Sequence, residues 1–145
     1  MKLLLIIDDR YKEPEIHLCS DKKTGEIIDL RDFLEDTLFS KITLYKNQEA
    51  RTAAAYEIVR LYSENKKVYA RTDNDTYEVR ERLYSLEETL NDRGFVRISN
   101  SEIVNSAKIT KLDMSFTGTI RISLKNGDET YVSRRYVSRI KEVLG

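Results

Sequence analysis

The feature that most constrains this chain is a rhythm, from Lys41 onward, of short alternating runs separated by turn residues. Ile42-Thr43-Leu44-Tyr45, Val59-Arg60-Leu61-Tyr62 and Ile120-Arg121-Ile122-Ser123-Leu124 set an apolar side chain at every second position. A strand sends successive side chains to opposite faces, so a period of two gives each run one face to bury. Residues 68–72 and 76–80 flank Asp73-Asn74-Asp75, and Asn126-Gly127 stands before Tyr131-Val132. Both patterns predict hairpins. Asn-Gly in particular suits a two-residue turn with positive φ at both residues.

Helical periodicity is brief. Leu83, Leu86 and Leu90 share one helical face, with Gly94 as a stop. Tyr136, Val137, Ile140, Val143 and Leu144 form a last face behind Ser133, a good N-cap residue. Residues 53–58 admit a helical turn, residues 95–98 read as a short strand, and residues 103–112 are mixed. Before Lys41 the order differs. Residues 2–8 read as a short buried strand and residues 15–19 alternate as a second one. After a polar turn, Ile27, Leu30, Leu34 and Leu38 mark an amphipathic helix. The expected fold is mostly β with short helices, α+β in class. An antiparallel β-rich domain over residues 41–145 follows a small acidic β-β-α unit over residues 1–40. That unit is too small to be a strong independent domain, and it would pack on the β domain or serve dimerisation.

Composition bounds the function. The chain has 145 residues, 34% charged and 40% hydrophobic, as in soluble globular proteins. The first apolar run stops at Asp8-Asp9, short of a signal peptide or a membrane span. One cysteine, Cys19, excludes an intrachain disulfide, so a cytoplasmic setting is expected. His17 is the only histidine and lies two residues from Cys19, too few soft ligands for a zinc site and no third group for a nucleophile. Asp8-Asp9 lacks the accompanying units of a phosphoryl-accepting domain. The five glycines are isolated, so there is no phosphate loop. No enzyme, no metal and no cofactor is implied.

Basic and acidic residues balance at 25 each, yet not locally. Residues 1–46 and 47–94 each carry a net charge of −2, and residues 95–145 carry +4. Phosphate affinity follows the local field, so a neutral total does not exclude nucleic acid. Arg134 and Arg135 fall in the first turn of the last helix, where cations oppose the helix dipole. Arg139 follows Arg135 by one turn, on the same face. Two readings stay open. The arginines form a clamp for phosphate or a reader of guanine, or they pair with nearby acids such as Glu102 and Asp113.

A family pattern runs through these segments. Tyr77-Glu78-Val79-Arg80 leads to Leu83 and Leu86-Glu87. Phe95-Val96-Arg97-Ile98-Ser99-Asn100-Ser101-Glu102-Ile103-Val104-Asn105 opens with Phe-x-Arg and closes on Val-Asn. Ile109 and Leu112 follow, then Leu124-Lys125-Asn126-Gly127 and Val132-Ser133-Arg134-Arg135-Tyr136. Taken in order, residues 41–145 resemble the LytTR family of bacterial DNA-binding domains. The resemblance implies sequence-specific binding of double-stranded DNA at promoter repeats by a transcriptional regulator. It implies contact from loops in the major and minor grooves, not from a helix-turn-helix. Carried over, Asn100 matches a polar contact position and Arg135 the arginine of the last helix. A first reading loop falls at Asn65-Lys66-Lys67, where relatives often carry His or Asn in place of a lysine. That departure shifts the expectation towards phosphate contact. Arg97, Ser99 and Ser101 are further candidates, and Asn105 is either a contact or a residue satisfying backbone groups. The resemblance also implies a homodimer, at least on DNA, and a membrane protein as regulator, the chain itself not being membrane-embedded. The competing reading is a β-rich protein-interaction module without DNA binding. RNA binding, suggested by strand tyrosines such as Tyr62 and Tyr69, ranks below both.

Overall fold

The computed structural model of the chain describes residues 1–115 and 118–144. The first ordered element is helix α1, Gly25–Phe39, capped by Thr24, whose Oγ1 accepts from the Ile27 amide at 3.4 Å. Then come strands β1 (Lys41–Lys46), β2 (Glu49–Ala54), β3 (Arg60–Glu64), β4 (Lys67–Arg71) and β5 (Thr76–Val79). Helix α2 (Leu83–Leu90) leads to β6 (Phe95–Ser99) and β7 (Glu102–Asn105). Strands β8 (Ile109–Asp113), β9 (Ile120–Leu124) and β10 (Glu129–Val132) precede helix α3 (Val137–Leu144). All paired strands are antiparallel, as the alternation predicts.

The strands make a seven-stranded sheet in the order β2-β1-β5-β4-β3-β7-β6 and a three-stranded sheet in the order β10-β9-β8. Two apolar cores follow from the period-two pattern. Leu44, Leu61, Ala70, Val79 and Ile103 face one side of the large sheet, where Leu83, Leu86 and Leu90 of α2 cover them. Val96, Ile98 and Val104 face the other side and meet Ile120, Ile122, Leu124 and Val132 of the small sheet and Ile140 of α3. Strand β6 serves both cores, since Phe95 belongs to the first and its neighbour Val96 to the second. Gly94 ends the α2 segment with φ +81°, the left-handed C-terminal conformation that glycine adopts without penalty.

Three expectations are corrected. Residues 2–8 and 15–19 form no strands; the chain is irregular from residue 1 to residue 24. The reason is that a strand needs a ladder partner, and among the described residues no strand pairs with these segments. The β-β-α unit is therefore an irregular arm followed by α1. The helical turn expected within residues 53–58 is present as a single 3-10 turn over Ala55–Glu57, just after the end of β2. Asn126-Gly127 is not a two-residue turn of the expected kind. Gly127 has φ +90° and Asn126 is not in the positive-φ region. The Gly127 amide donates to Leu124 O and the Leu124 amide to Asp128 O, a three-residue loop closed by glycine. Ser133 does precede the last helical segment, but its side chain makes no cap hydrogen bond, and the first turn, Arg134–Tyr136, is 3-10.

Candidate nucleic-acid interface

Residues with both φ values positive mark two tight hairpins, Asn47-Gln48 between β1 and β2 and Asn65-Lys66 between β3 and β4. At the second, φ is 51° for Asn65 and 65° for Lys66. Asparagine tolerates that region, whereas lysine is held there against its preference. Tyr62 pairs with Tyr69 across this hairpin, the rings stacked 5.5 Å apart. A two-residue turn at 65–66 requires that pairing, so the equal distance of both tyrosines from Asn65-Lys66 was a usable sequence signal. The exposed tip presents Asn65, Lys66 and Lys67, and Lys67 Nζ lies 3.6 Å from Glu78 of β5.

A second tip, Asn100-Ser101, joins β6 to β7. Strand β3 runs antiparallel to β7 with Tyr62 opposite Glu102, and the Ser63 amide donates to Ser101 O at 2.8 Å. This pairing brings the ends of the two hairpins to the same end of the large sheet. The start of the last helical segment arrives there too. The Ser133 amide donates to Ile98 O at 2.9 Å, and Tyr136 OH donates to Asn100 Oδ1 at 3.1 Å. Arg134 and Arg135, exposed, sit immediately before that tyrosine.

Neither arginine has an ion pair among the described residues. The acids that could have held them are engaged elsewhere: Glu102 takes Arg60 at 3.2 Å and Asp113 takes Arg121 at 3.2 Å. Arg134 lies over the Gly118 backbone, where a Cβ would meet its Nε at 2.5 Å. Of the two readings of this pair, the acid-pairing one finds no support in the geometry.

Arg97 and Arg139 are arranged differently. Arg97 donates from Nε to Ser99 O at 2.7 Å, from one terminal nitrogen to Asn100 O, and from the other to Glu87 of α2 at 2.8 Å. Its side chain is 13% exposed. Arg139 of α3 holds the other oxygen of Glu87 at 3.0 Å. Glu87 thus ties α3 and the Asn100-Ser101 tip to α2, a role no spacing rule singled out. A register irregularity in β6 between Arg97 and Ser99 lets the tip fold back, and Ser99 Oγ accepts from the Ser101 amide at 3.2 Å.

Asn105 resolves in favour of structure. It is 4% exposed, donates to Ile58 O at 3.0 Å and accepts from the Ala107 amide at 3.1 Å. Asn105→Ala leaves both groups unpaired and should destabilise the fold by about 1–3 kcal/mol. Chemical denaturation checks this, with unchanged stability as the contrary result. His17 and Cys19 lie on the exposed arm, where His17 Nε2 is 2.7 Å from Glu15 Oε2.

One network that the sequence reading missed locks the two sheets together. Asp128, in the loop after β9, accepts from Arg60 Nε at 3.0 Å and from Arg71 Nε and a terminal nitrogen at 2.8 and 2.9 Å. Asn126 of the same loop donates to Thr72 O at 3.2 Å. The bonds from Arg71 foremost hold the Asp128 carboxyl well below the usual carboxylate range. Burial pushes Glu102 the other way, despite Arg60 beside it.

Comparison with known proteins decides the family. The sequence profile of the LytTr DNA-binding domain matches residues 49–145. The chain belongs to the LytTR family. An uncharacterised HTH-type transcriptional regulator of Staphylococcus aureus strain MSSA476 is 35% identical over 145 residues, covering 99% of this chain and 98% of its own. Its counterpart in strain MRSA252 is 34% identical with the same coverage. The solved LytTr DNA-binding domain of a Bacillus cereus protein superposes with a TM-score of 0.69 at 26% identity, covering 72% of this chain and 96% of that one. The LytTR fold accounts for the antiparallel, loop-rich architecture. Strands separate each α-helix from the next among the described residues, so the helix-turn-helix in those relatives' names has no counterpart here. No described helix is long and apolar enough to cross a membrane.

Proposed function

We propose that this LytTR chain is a bacterial transcriptional regulator that binds specific double-stranded DNA through the end of the large sheet. The single observation supporting this most is the convergence there of the Asn65-Lys66 tip, the Asn100-Ser101 tip and the Arg134-Arg135 turn. Each of the three comes from a different part of the sequence. Arg135 reads a base, with Arg134 beside it on phosphate. Asn100, oriented by Tyr136, supplies a polar contact, with Ser99 and Ser101 flanking it. Asn65, Lys66 and Lys67 contact the backbone of the next groove, since a lysine is a point charge suited to phosphate. Arg97 and Arg139 hold the tip and α3 in place through Glu87. A single small module gives limited specificity, so repeated half-sites occupied in pairs are the expected operator.

The first test is selection of bound fragments from random duplex DNA by the full chain. A recurring repeated motif supports the reading. Binding no tighter than roughly micromolar on every sequence is the range of nonspecific contact, and would favour the protein-interaction module instead. The second test is the salt dependence of affinity in Lys66→Gly. Glycine suits the positive φ of the turn, so this variant loses charge without straining the hairpin. The log–log salt slope should fall by about 0.9, the share of one phosphate contact. An unchanged slope would remove this tip from the interface.

A further inference from the structure

The arm before α1 carries apolar surface that the protomer leaves uncovered. Leu3, Leu4, Leu5, Ile6 and Ile7 are 100, 68, 84, 57 and 90% exposed. Soluble monomers rarely leave a contiguous apolar stretch in water, and a short run of five adjacent aliphatic residues suits a strand that pairs with a partner. We propose that residues 2–8 pair antiparallel with the same residues of a second copy of this chain, about a two-fold axis at Leu5. The proposal is independent of the DNA-binding surface.

The sequence is self-complementary in that register. Lys2 meets Asp8 of the second copy, Leu3 meets Ile7, Leu4 meets Ile6, and Leu5 meets its own counterpart. An isologous two-fold contact requires this kind of match, in which each residue and its partner exchange places. Directly opposed strand residues of opposite charge attract and like charges repel. A parallel pairing would set Lys2 on Lys2 and Asp8 on Asp8. Within the protomer Asp8 holds Arg10 at 3.1 Å, an exposed and therefore weak pair that Lys2 can replace.

Other occupants fit less well. Of the two edge strands of the large sheet, β6 is engaged by the Ser133 amide at Ile98 O, and β2 has the sequence Glu-Ala-Arg-Thr-Ala-Ala with its first four residues exposed, offering an apolar strand little to bury against. Five apolar residues are far short of the roughly 20 that span a bilayer. A second copy also supplies more of the same surface. Past the turn in which the Tyr11 amide donates to Asp8 O, Ile16 and Leu18 are 64 and 37% exposed and can flank the central pair. Residues 1–24 together approach the roughly 20–30 residues a side of a standard interface. This arm precedes the domain matched at 49–145, yet the Staphylococcus aureus relatives match the chain over 145 residues, arm included.

The test is sedimentation equilibrium of the full chain, without DNA. The wild type should be a dimer at or below about 10 µM, within the span of affinities that interfaces of this size reach. Leu5→Glu sets two carboxylates face to face on the axis and should weaken dimerisation at least about 100-fold, the loss seen at a central interface residue. Leu5 is exposed in the protomer, so the variant still folds, and an unchanged circular dichroism spectrum verifies that. Lys2→Glu and Asp8→Lys should each weaken the dimer, while an equimolar mixture of the two variants should restore it as a heterodimer. That rescue fixes the antiparallel register. A monomeric wild type, a dimer indifferent to Leu5→Glu, or a mixture without rescue would each overturn the proposal. So would a monomer that binds phosphatidylglycerol vesicles through residues 2–8, because the arm would then belong to a lipid surface.

Discussion

Asp128→Ala should lower the stability of the fold by about 3 kcal/mol at neutral pH, the lower end of the cost of breaking a buried ion pair. The lower end applies because the side chains of Asp128, Arg60 and Arg71 are 17, 19 and 21% exposed, not fully desolvated. The variant leaves two half-buried guanidinium groups facing each other across the β3–β4 ladder, where Arg60 pairs with Arg71. It also removes the three bonds from Arg60 and Arg71 to the loop after β9, leaving that loop with the Asn126–Thr72 bond to the large-sheet side. Urea denaturation of wild type and variant measures the difference. A loss under about 0.5 kcal/mol, the scatter of ordinary surface substitutions, would show that the network is ornamental.

The same residue gives the fold an acid limit with a definite sign. Its carboxyl titrates lower in the folded chain than in the unfolded one, with the Arg71 hydrogen bonds as the main cause. Its contribution is therefore complete above the unfolded value of about 3.9 and is lost as the pH falls below it. Glu102 acts oppositely, since burial raises it and its protonation favours the folded state. The advantage of wild type over Asp128→Ala isolates the Asp128 part. That advantage should be flat from neutral pH to about 5 and shrink below about 4. An advantage that grew on acidification would contradict this assignment.

Arg135→Ala should weaken specific DNA binding by about 1–3 kcal/mol, some 5- to 150-fold, and relax base preference at one operator position. Arg135 is exposed and makes no ion pair among the described residues, so its removal costs the fold little. The whole effect should appear in binding. Titration against the selected operator and against single-base variants of it separates the roles. Loss confined to the preferred base identifies a base contact, whereas equal loss on every sequence identifies phosphate. No loss on any sequence would place the interface elsewhere.

The sequence by itself determined the β-rich fold from Ile42 to Val132, because burying one face of a strand needs only local alternation. It determined α2 and its stop at Gly94 for the same reason, with period 3.6 in place of 2. The ordered family pattern from Tyr77 to Tyr136 sufficed to identify the LytTR domain. Tertiary structure decided the rest. Residues 2–8 have the composition of a strand, yet a strand forms only against a partner, and the described residues of the protomer supply none. Asn126-Gly127 has the signature of a two-residue turn. The loop adopts another shape that lets Asn126 and Asp128 reach Thr72, Arg60 and Arg71 on the other sheet. Arg97, Arg135 and Arg139 are alike as sequence, and the position of Glu87 on α2 separates the two that it holds from the one without an ion pair among the described residues. Asn105 likewise became structural only when Ile58 lay beside it. Periodicity is written into neighbouring residues, whereas a charge or hydrogen bond is assigned by whichever distant residue the topology places within 3 Å.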